Sequence, residues 1–250
     1  NNMKSVKDTL LNRVSCRRYE REAVTQEQLE FIYAAIRNTP TSYNGQQFSV
    51  IDVDDQEVKL QLEALIGQKQ IKTCSHFMAF CMDYHKIMAG AEAKGVDMPP
   101  FYDTVDGVTV GMIDAALAMM SAVVAVESLG LGCCPIGYAR TKDQKAVAEI
   151  LKLPQHVMLI CGLAIGVPRE QNDLKPKQPA DLMIHHNCYR QDSVAQDVID
   201  YDTVVTRYNQ TRAGGASDND WVDHIIGYYR EAMKYRMLEA LRERGFDCQH

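Results

Sequence analysis

Four stretches of the chain carry groups suited to holding an anion or a planar heteroaromatic ring. Near the start, NRVSCRRY gathers Arg13, Arg17, Arg18 and Ser15 around a single turn. Guanidinium forks beside a hydroxyl hold phosphate by charge-assisted hydrogen bonds, although the same turn would serve as a solvated charged surface. TSYNGQQF, residues 41–48, is rich in turn formers and amides. There Asn44 and Gln46 could donate to ring heteroatoms or satisfy their own backbone. CCPIGYAR, residues 133–140, runs from strand-like residues into a glycine loop with an arginine. Such a loop can present backbone N–H groups to a planar or anionic ligand, and a turn with no ligand fits it as well. In DLKPKQP, Lys175 and Lys177 stand two apart on a proline-stiffened segment, fit for a phosphate or for plain surface.

Other chemistries are less well supplied. His185, His186 and Cys188 offer three metal ligands without a fourth or a nearby carboxylate, a weak metal signal. No GxSxG, P-loop or GxGxxG stands in its required strand–turn–helix context, so triad hydrolysis, P-loop phosphoryl transfer and a Rossmann cofactor site are not indicated.

These groups need elements to position them, and the central one is the run beginning at Gly111. To Leu129 it is apolar on almost every face, which predicts a buried helix rather than a bilayer span, since Glu127 interrupts it. Asp114 is read as complementing the positive end of that helix's dipole. Gly130 and Gly132 then end the helix. Around it, the spacing predicts helices over 6–14, 25–37, 57–66, 85–94 and 142–151. Thr25 and Gln28 form a capping box for the second of these. FSVIDV, HFMAFCMDY and VMLICGLAIGV read as strands, the second buried on both faces and the third a continuous apolar run of strand length. Beyond Ser193 the chain is polar and helical, interrupted by TRAGGASDND, which reads as a flexible loop. Trp221 begins an amphipathic helix expected to run to about Arg244. Helices interspersed with a few buried strands make an α+β sandwich with helices on both sides of the sheet.

A chain of 250 residues can bury a sizeable core as one large domain or two small ones. With 46% hydrophobic and 24% charged residues and a net charge of −6, it reads as an ordered globular protein with no general nucleic-acid surface. No secretory signal or membrane span is read, and Asn1 and Asn2 read as an addition ahead of Met3. Eight cysteines without a CxxC pair read as reduced thiols, so a cytoplasmic location is expected.

Taken together, SCRR, TSYNGQQF, ESLGLG with PIGYAR, and LPQHVMLICGLAIGVPREQNDLKPKQP come in one order. That order and spacing resemble the FMN-dependent nitroreductase family. The likeness is to its larger branch, the oxygen-insensitive nitroreductases and flavin reductases that take electrons mainly from NADPH. It runs from about Lys4 to beyond Trp221. ESLGLG together with LKLPQHV and DLKPK is the specific combination.

The resemblance implies a nitroreductase-like α+β sandwich, its mixed, mostly antiparallel sheet flanked by helices. Residues 1–192 would form the FMN-binding core and 193–250 a helical extension of the same domain that wraps a dimer partner. It implies a homodimer with FMN at the subunit interface and the long helix in the dimer core. Arg13, Ser15 and Arg17 would hold the phosphate and ribityl chain, with Lys175 and Lys177 closing over the phosphate. Ser42, Asn44 and Gln46 would approach from the partner subunit, and Gln68 and Gln70 would reach the ribityl or ring edge. Pro135, Ile136, Gly137 and Tyr138 would line the ring, a backbone N–H near Gly137 would donate to flavin N5, and Arg140 would lie near the phosphate end. The implied reaction is ping-pong: NAD(P)H gives a hydride to N5, and a nitroaromatic, quinone or free flavin is reduced in turn. The alternative is a flavin-binding protein with little turnover, for storage or sensing. Three features depart from the branch: Tyr138 follows Gly137 where a second glycine is frequent, DLKPK has lysine where arginine is frequent, and Arg212 is the one basic residue in the loop implied to hold the 2′-phosphate of NADPH. Discrimination between NADPH and NADH is accordingly expected to be modest.

Overall fold

The computed structural model describes residues 3–250, so Asn1 and Asn2 lie outside the described residues. The chain divides into two compact units, Asn1–Gln171 with Arg236–His250, and Asn172–Tyr235.

In the first unit the elements follow in order: α1 Val6–Asn12, α2 Gln26–Arg37, β1 Phe48–Val53, α3 Gln56–Ile66, α4 Gln70–Thr73 and β2 His76–Asp83. Then come α5 His85–Lys94, α6 Val105–Ser128, β3 Gly132–Ile136, α7 Gln144–Leu151 and β4 Val157–Gly166. Their boundaries have local causes. Thr25 and Gln28 form the expected capping box on α2. Asp55 and Asp143 cap α3 and α7 through the backbone N–H groups of Val58 and Ala146. Gly67 ends α3 in the left-handed conformation at φ 80°.

The four strands pair antiparallel in the order β1-β2-β4-β3. The two inner strands, β2 and β4, are buried along their whole length, as their unbroken apolar runs predict. Pro135 is tolerated because β3 is an edge strand, with one side free of any ladder. Strand alternation divides the core in two. Met78, Phe80 and Met82 of β2 pack with Ile32, Ile36, Ala118 and Ala122 of α2 and α6. Phe77, Ala79 and Cys81 pack with Leu62, Ile66 and Val147 of α3 and α7. Helices therefore cover both faces of the sheet, and each fully buried Phe or Met contributes about 1.5–3 kcal/mol.

Helix α6 begins six residues earlier than the apolar run suggests, capped by Thr104, whose hydroxyl accepts from Gly107 N. Gly107 and Gly111 are both required by close approach. A Cβ on Gly107 would lie 1.9 Å from Phe101 O, and one on Gly111 would lie 2.4 Å from Met82 Cγ. The earlier start also corrects the reading of Asp114. It lies well inside the helix rather than at the positive end of its dipole, and it is fully buried. Although α6 is long and apolar enough to cross a membrane, half of its most apolar stretch is buried within the protein. Ile113, Leu117 and Met120 remain exposed as one stripe at helical spacing.

The second unit holds α8 Ala180–Met183, α9 Val194–Thr211 and α10 Val222–Ala232. The expected continuous helix from Trp221 to Arg244 is broken. Arg236 leaves helical geometry at φ −98°, ψ 56°, and α11 Met237–Glu243 belongs to the first unit. The gain is burial, because Leu241 and Phe246 join the core beside Tyr84. Arg244 is buried there too, its guanidinium donating to the carbonyls of Leu153, Pro154 and Val157. Hydrogen bonds shape TRAGGASDND. Arg212 Nε donates to Gly215 O at 2.8 Å, Ser217 N to Asn209 O at 2.9 Å, and Asn209 Nδ2 to Asn219 O at 2.7 Å.

Candidate cofactor-binding site

The turn of Arg13, Ser15 and Arg17 is zipped into the sheet edge. Cys16 N donates to Cys133 O at 2.9 Å, Glu20 N to Val167 O at 2.8 Å, and Arg169 N to Arg18 O at 2.9 Å. Tyr19 reaches below, its hydroxyl donating to Cys16 O at 2.5 Å and Ala164 O at 3.2 Å. Arg17 N donates to Glu170 Oε1 at 2.6 Å, which leaves the exposed Arg17 side chain directed by a fixed backbone. Arg13 Nε is buried without a hydrogen-bond partner. A buried guanidinium N–H with an unmet bond, in a turn that also carries Ser15 and Arg17, fits the phosphate of a bound mononucleotide.

Behind this turn lies Glu127, from the ESLGLG motif. Burial pushes its carboxyl up, and the charges of Arg13 and Lys4 oppose that shift. A cavity of about 470 Å³ has Glu127, Cys16 and Lys4 in its wall.

The β3 edge and the loop after it form the second part. Gln70 Nε2 donates to Gln68 Oε1 at 3.1 Å and contacts Cys134 Sγ at 3.7 Å, so both predicted glutamines are brought to β3. Past Ile136 the chain enters the 3-10 turn Gly137–Thr141. Here Arg140 folds back, its Nη1 donating to Gly137 O at 2.6 Å, so that its guanidinium orients the Gly137 peptide. Gln144, unremarked in the sequence, is almost wholly buried. Its Nε2 donates to Ala139 O at 3.0 Å and Arg140 O at 3.1 Å. Tyr138 is exposed, with Lys142 Nζ 5.2 Å from its ring centre.

The third part is the turn at residues 42–47, in which Ser42, Asn44 and Gln46 sit. Tyr43, Asn44 and Gln46 all have positive φ, at 61°, 51° and 53°. For tyrosine and glutamine that conformation is uncommon and is held by context. Asn44 and Gln46 are exposed.

Lys175, Lys177 and Arg212 lie in the second unit and line one cavity of about 600 Å³ with Tyr201, Trp221 and His224. The resemblance had assigned the two lysines and the arginine to different ligands. Their shared wall is not legible in sequences 35 or more residues apart. His185, from the weak metal signal, has its ring 4.3 Å from that of Tyr189 and accepts from Arg190 N at 3.3 Å.

Six of the eight cysteines are buried. Burial pushes Cys74 up to about 11 and Cys161 up to about 12, and raises Cys16 and Cys133 as well. Protonated thiols are poor nucleophiles, so Cys133 acts here as a packing residue.

Known proteins are similar to this chain along nearly its whole length. Residues 10–167 match the Nitroreductase family, and residues 175–249 match the Nitroreductase family, C-terminal domain. An FMN reductase [NAD(P)H] of Bacillus subtilis is 34% identical over 246 residues, covering 98% of each chain. An FMN reductase (NADPH) of the same organism is 31% identical over 248 residues, covering 98% of this chain and 99% of that one. The structure of the hypothetical oxidoreductase YcnD from Bacillus subtilis superposes with a TM-score of 0.94 at 33% identity, over 99% of this chain and 100% of that one. An arginine turn zipped to a sheet edge, a glycine loop beyond that edge, and matches along nearly the whole length lead to one conclusion: this chain belongs to the nitroreductase family.

Proposed function

We propose that this chain is an FMN-dependent oxidoreductase that draws electrons from NAD(P)H and passes them to a nitroaromatic, a quinone or free flavin. The observation that carries the reading is the phosphate turn, with its buried unmet Arg13 Nε beside Ser15 and Arg17. The two FMN reductases among its relatives support it by name. Bound FMN would supply the chemistry, accepting a hydride from the donor and returning electrons to the acceptor in a ping-pong sequence.

The protein's own residues bind and orient. Arg13, Ser15 and Arg17 hold the phosphate. Gln68 and Gln70, linked to each other and to β3, offer amides to the ribityl chain or ring edge. Pro135, Ile136 and Tyr138 line the ring. Gly137 presents its N–H to flavin N5, and Arg140 holds the next peptide, Gly137–Tyr138, through the Gly137 carbonyl. No side-chain acid or base is required for hydride transfer, so the site's work is placement and electrostatics. Tyr138, exposed on the loop, narrows the face offered to substrates. Arg212 meets the nicotinamide donor.

The same reading makes the protein a homodimer. Ser42, Asn44 and Gln46 reach the flavin of the partner subunit, and the apolar stripe of α6 lies in the interface. Buried reduced thiols suit the cytoplasm.

The test is turnover. Protein reduced anaerobically with NADPH and freed of nucleotide should be reoxidised by a nitroaromatic, a quinone or free FMN at rates that support catalysis. Reoxidation by none of them would favour a flavin-binding protein for storage or sensing.

A further inference from the structure

We infer that Asp114, buried in the middle of α6, is the positioning residue that holds the turn at residues 42–47 in the shape that meets the cofactor. The inference rests on the reading above that this turn touches the flavin.

The geometry is a clamp. Asp114 Oδ1 accepts the backbone N–H of Ser42 at 3.2 Å, and Oδ2 accepts that of Gln47 at 3.1 Å. One carboxylate thus pins both ends of a short stretch. Between those ends lie Tyr43, Asn44 and Gln46, all left-handed. Asparagine tolerates that region, but tyrosine and glutamine are driven from it by their Cβ atoms. A turn of this sequence left to itself would relax toward ordinary backbone angles. Bonds inside the turn help to close it: Gln46 N to Thr41 Oγ1 at 3.1 Å, Gly45 N to Ser42 O at 2.9 Å, and Gln47 Nε2 to Ser42 O at 3.3 Å. They set its shape, whereas Asp114 fastens it to the helix at the centre of the fold. Gly45 completes the fit, since a Cβ there would lie 2.0 Å from Gln47 Oε1.

A carboxylate is an expensive group to bury and needs a use. Burial raises the pKa of Asp114, and the N–H groups of Ser42 and Gln47 oppose the shift. Asparagine would fill the same volume, yet it offers one acceptor and would turn its NH2 toward a second N–H donor. Two equivalent acceptors are what this position supplies. The strain stored at residues 43–46 is of the kind that clusters at ligand clamps, and Asp114 is the group that keeps it.

The experiment compares the parent with Asp114→Asn, reading hydrogen exchange at the amides of Ser42 and Gln47 together with FMN affinity and the visible circular dichroism of bound FMN. Exchange at both amides should rise about tenfold, while β1–β2 amides keep the parent rate. FMN should bind about tenfold more weakly, equivalent to about 1.4 kcal/mol, with an altered dichroism band. Adding Tyr43→Gly should recover most of the lost affinity, because glycine accepts a positive φ without strain. General damage to α6 would not be repaired in that way. Parent-like exchange at Ser42 and Gln47 would overturn the clamp itself. Faster exchange with unchanged FMN binding would overturn the inference differently, by showing that the turn does not meet the cofactor. Should Asp114→Asn fail to fold, Ser42→Pro deletes one donor and spares the helix, since Thr41 is already extended at ψ 156°. Unchanged FMN affinity in that variant would likewise overturn it.

Discussion

Replacing Met120 with Glu should separate the proposed dimer. Ile113, Leu117 and Met120 are 48%, 43% and 42% exposed in the single chain, on one stripe of α6. Full burial of such a side chain contributes about 1.5–3 kcal/mol. Slightly under half of that is still to be gained, about 0.7–1.4 kcal/mol for each residue. Three residues on each of two protomers, related by a two-fold axis, then contribute about 4–8 kcal/mol to association. Met120→Glu forfeits two of these six contributions and adds two carboxylates whose desolvation costs several kcal/mol each. Dissociation should become at least about a thousandfold easier, equivalent to about 4 kcal/mol. Sedimentation at micromolar concentration, followed at the flavin absorbance, reads both consequences: monomer or aggregate, without colour. Met120→Leu, which keeps the apolar contact, should behave as the parent. A yellow dimer of parental affinity in Met120→Glu would refute the placement of α6 in the interface.

Three further outcomes are expected. Arg17→Ala should weaken FMN binding about ten- to hundredfold, because a charge-assisted contact contributes about 1.5–3 kcal/mol; unchanged affinity in a titration of apoprotein would remove Arg17 from the site. The ratio of kcat/KM for NADPH over NADH at low salt should stay within about tenfold, or about 1.4 kcal/mol, since Arg212 Nε is committed to Gly215 O and Asp220 shares its cavity. A preference above about a hundredfold would mean that Lys175 and Lys177, in the same cavity, carry the 2′-phosphate. Glu127 supplies a pH dependence. Burial raises its carboxyl above the ordinary value of 4.5, so the folded protein keeps a proton that the unfolded chain has lost. Its contribution to stability is therefore full below that value and is lost as pH rises through the folded value. Urea midpoints of Glu127→Gln should fall less than the parent's across that range, and identical pH slopes would show that Glu127 titrates as an ordinary carboxylate.

What could be seen in the sequence was local. The capping box of Thr25 and Gln28, the unbroken apolar runs of β2 and β4, and the glycine that ends α3 state their structure within a few residues. The start of α6 was hidden because VDGVTV ahead of Gly111 lacks the unbroken apolar character of the run that follows, and the close approach of Phe101 to Gly107 is made only in the fold. The break near Arg236 was hidden for a similar reason. Nothing in MKYRM forbids a helix, and the gain lies in burying Leu241 and Phe246 against distant residues. Site residues divide the same way. Arginines and amides announce themselves by type, whereas Asp114 and Gln144 act on backbone atoms brought to them by the fold. Asp114 is 67 residues from the N–H it accepts at Gln47. No local pattern marks such a partner.

The central claim is that this chain holds FMN and reduces it with NAD(P)H. Anaerobic titration of the purified protein with NADPH, followed by visible absorbance, tests it directly. The account predicts about one FMN per chain, with a yellow absorbance that bleaches fully near one equivalent of NADPH and returns when an acceptor is admitted. A colourless protein that binds no added FMN, or a yellow one that neither NADPH nor NADH bleaches, would contradict it.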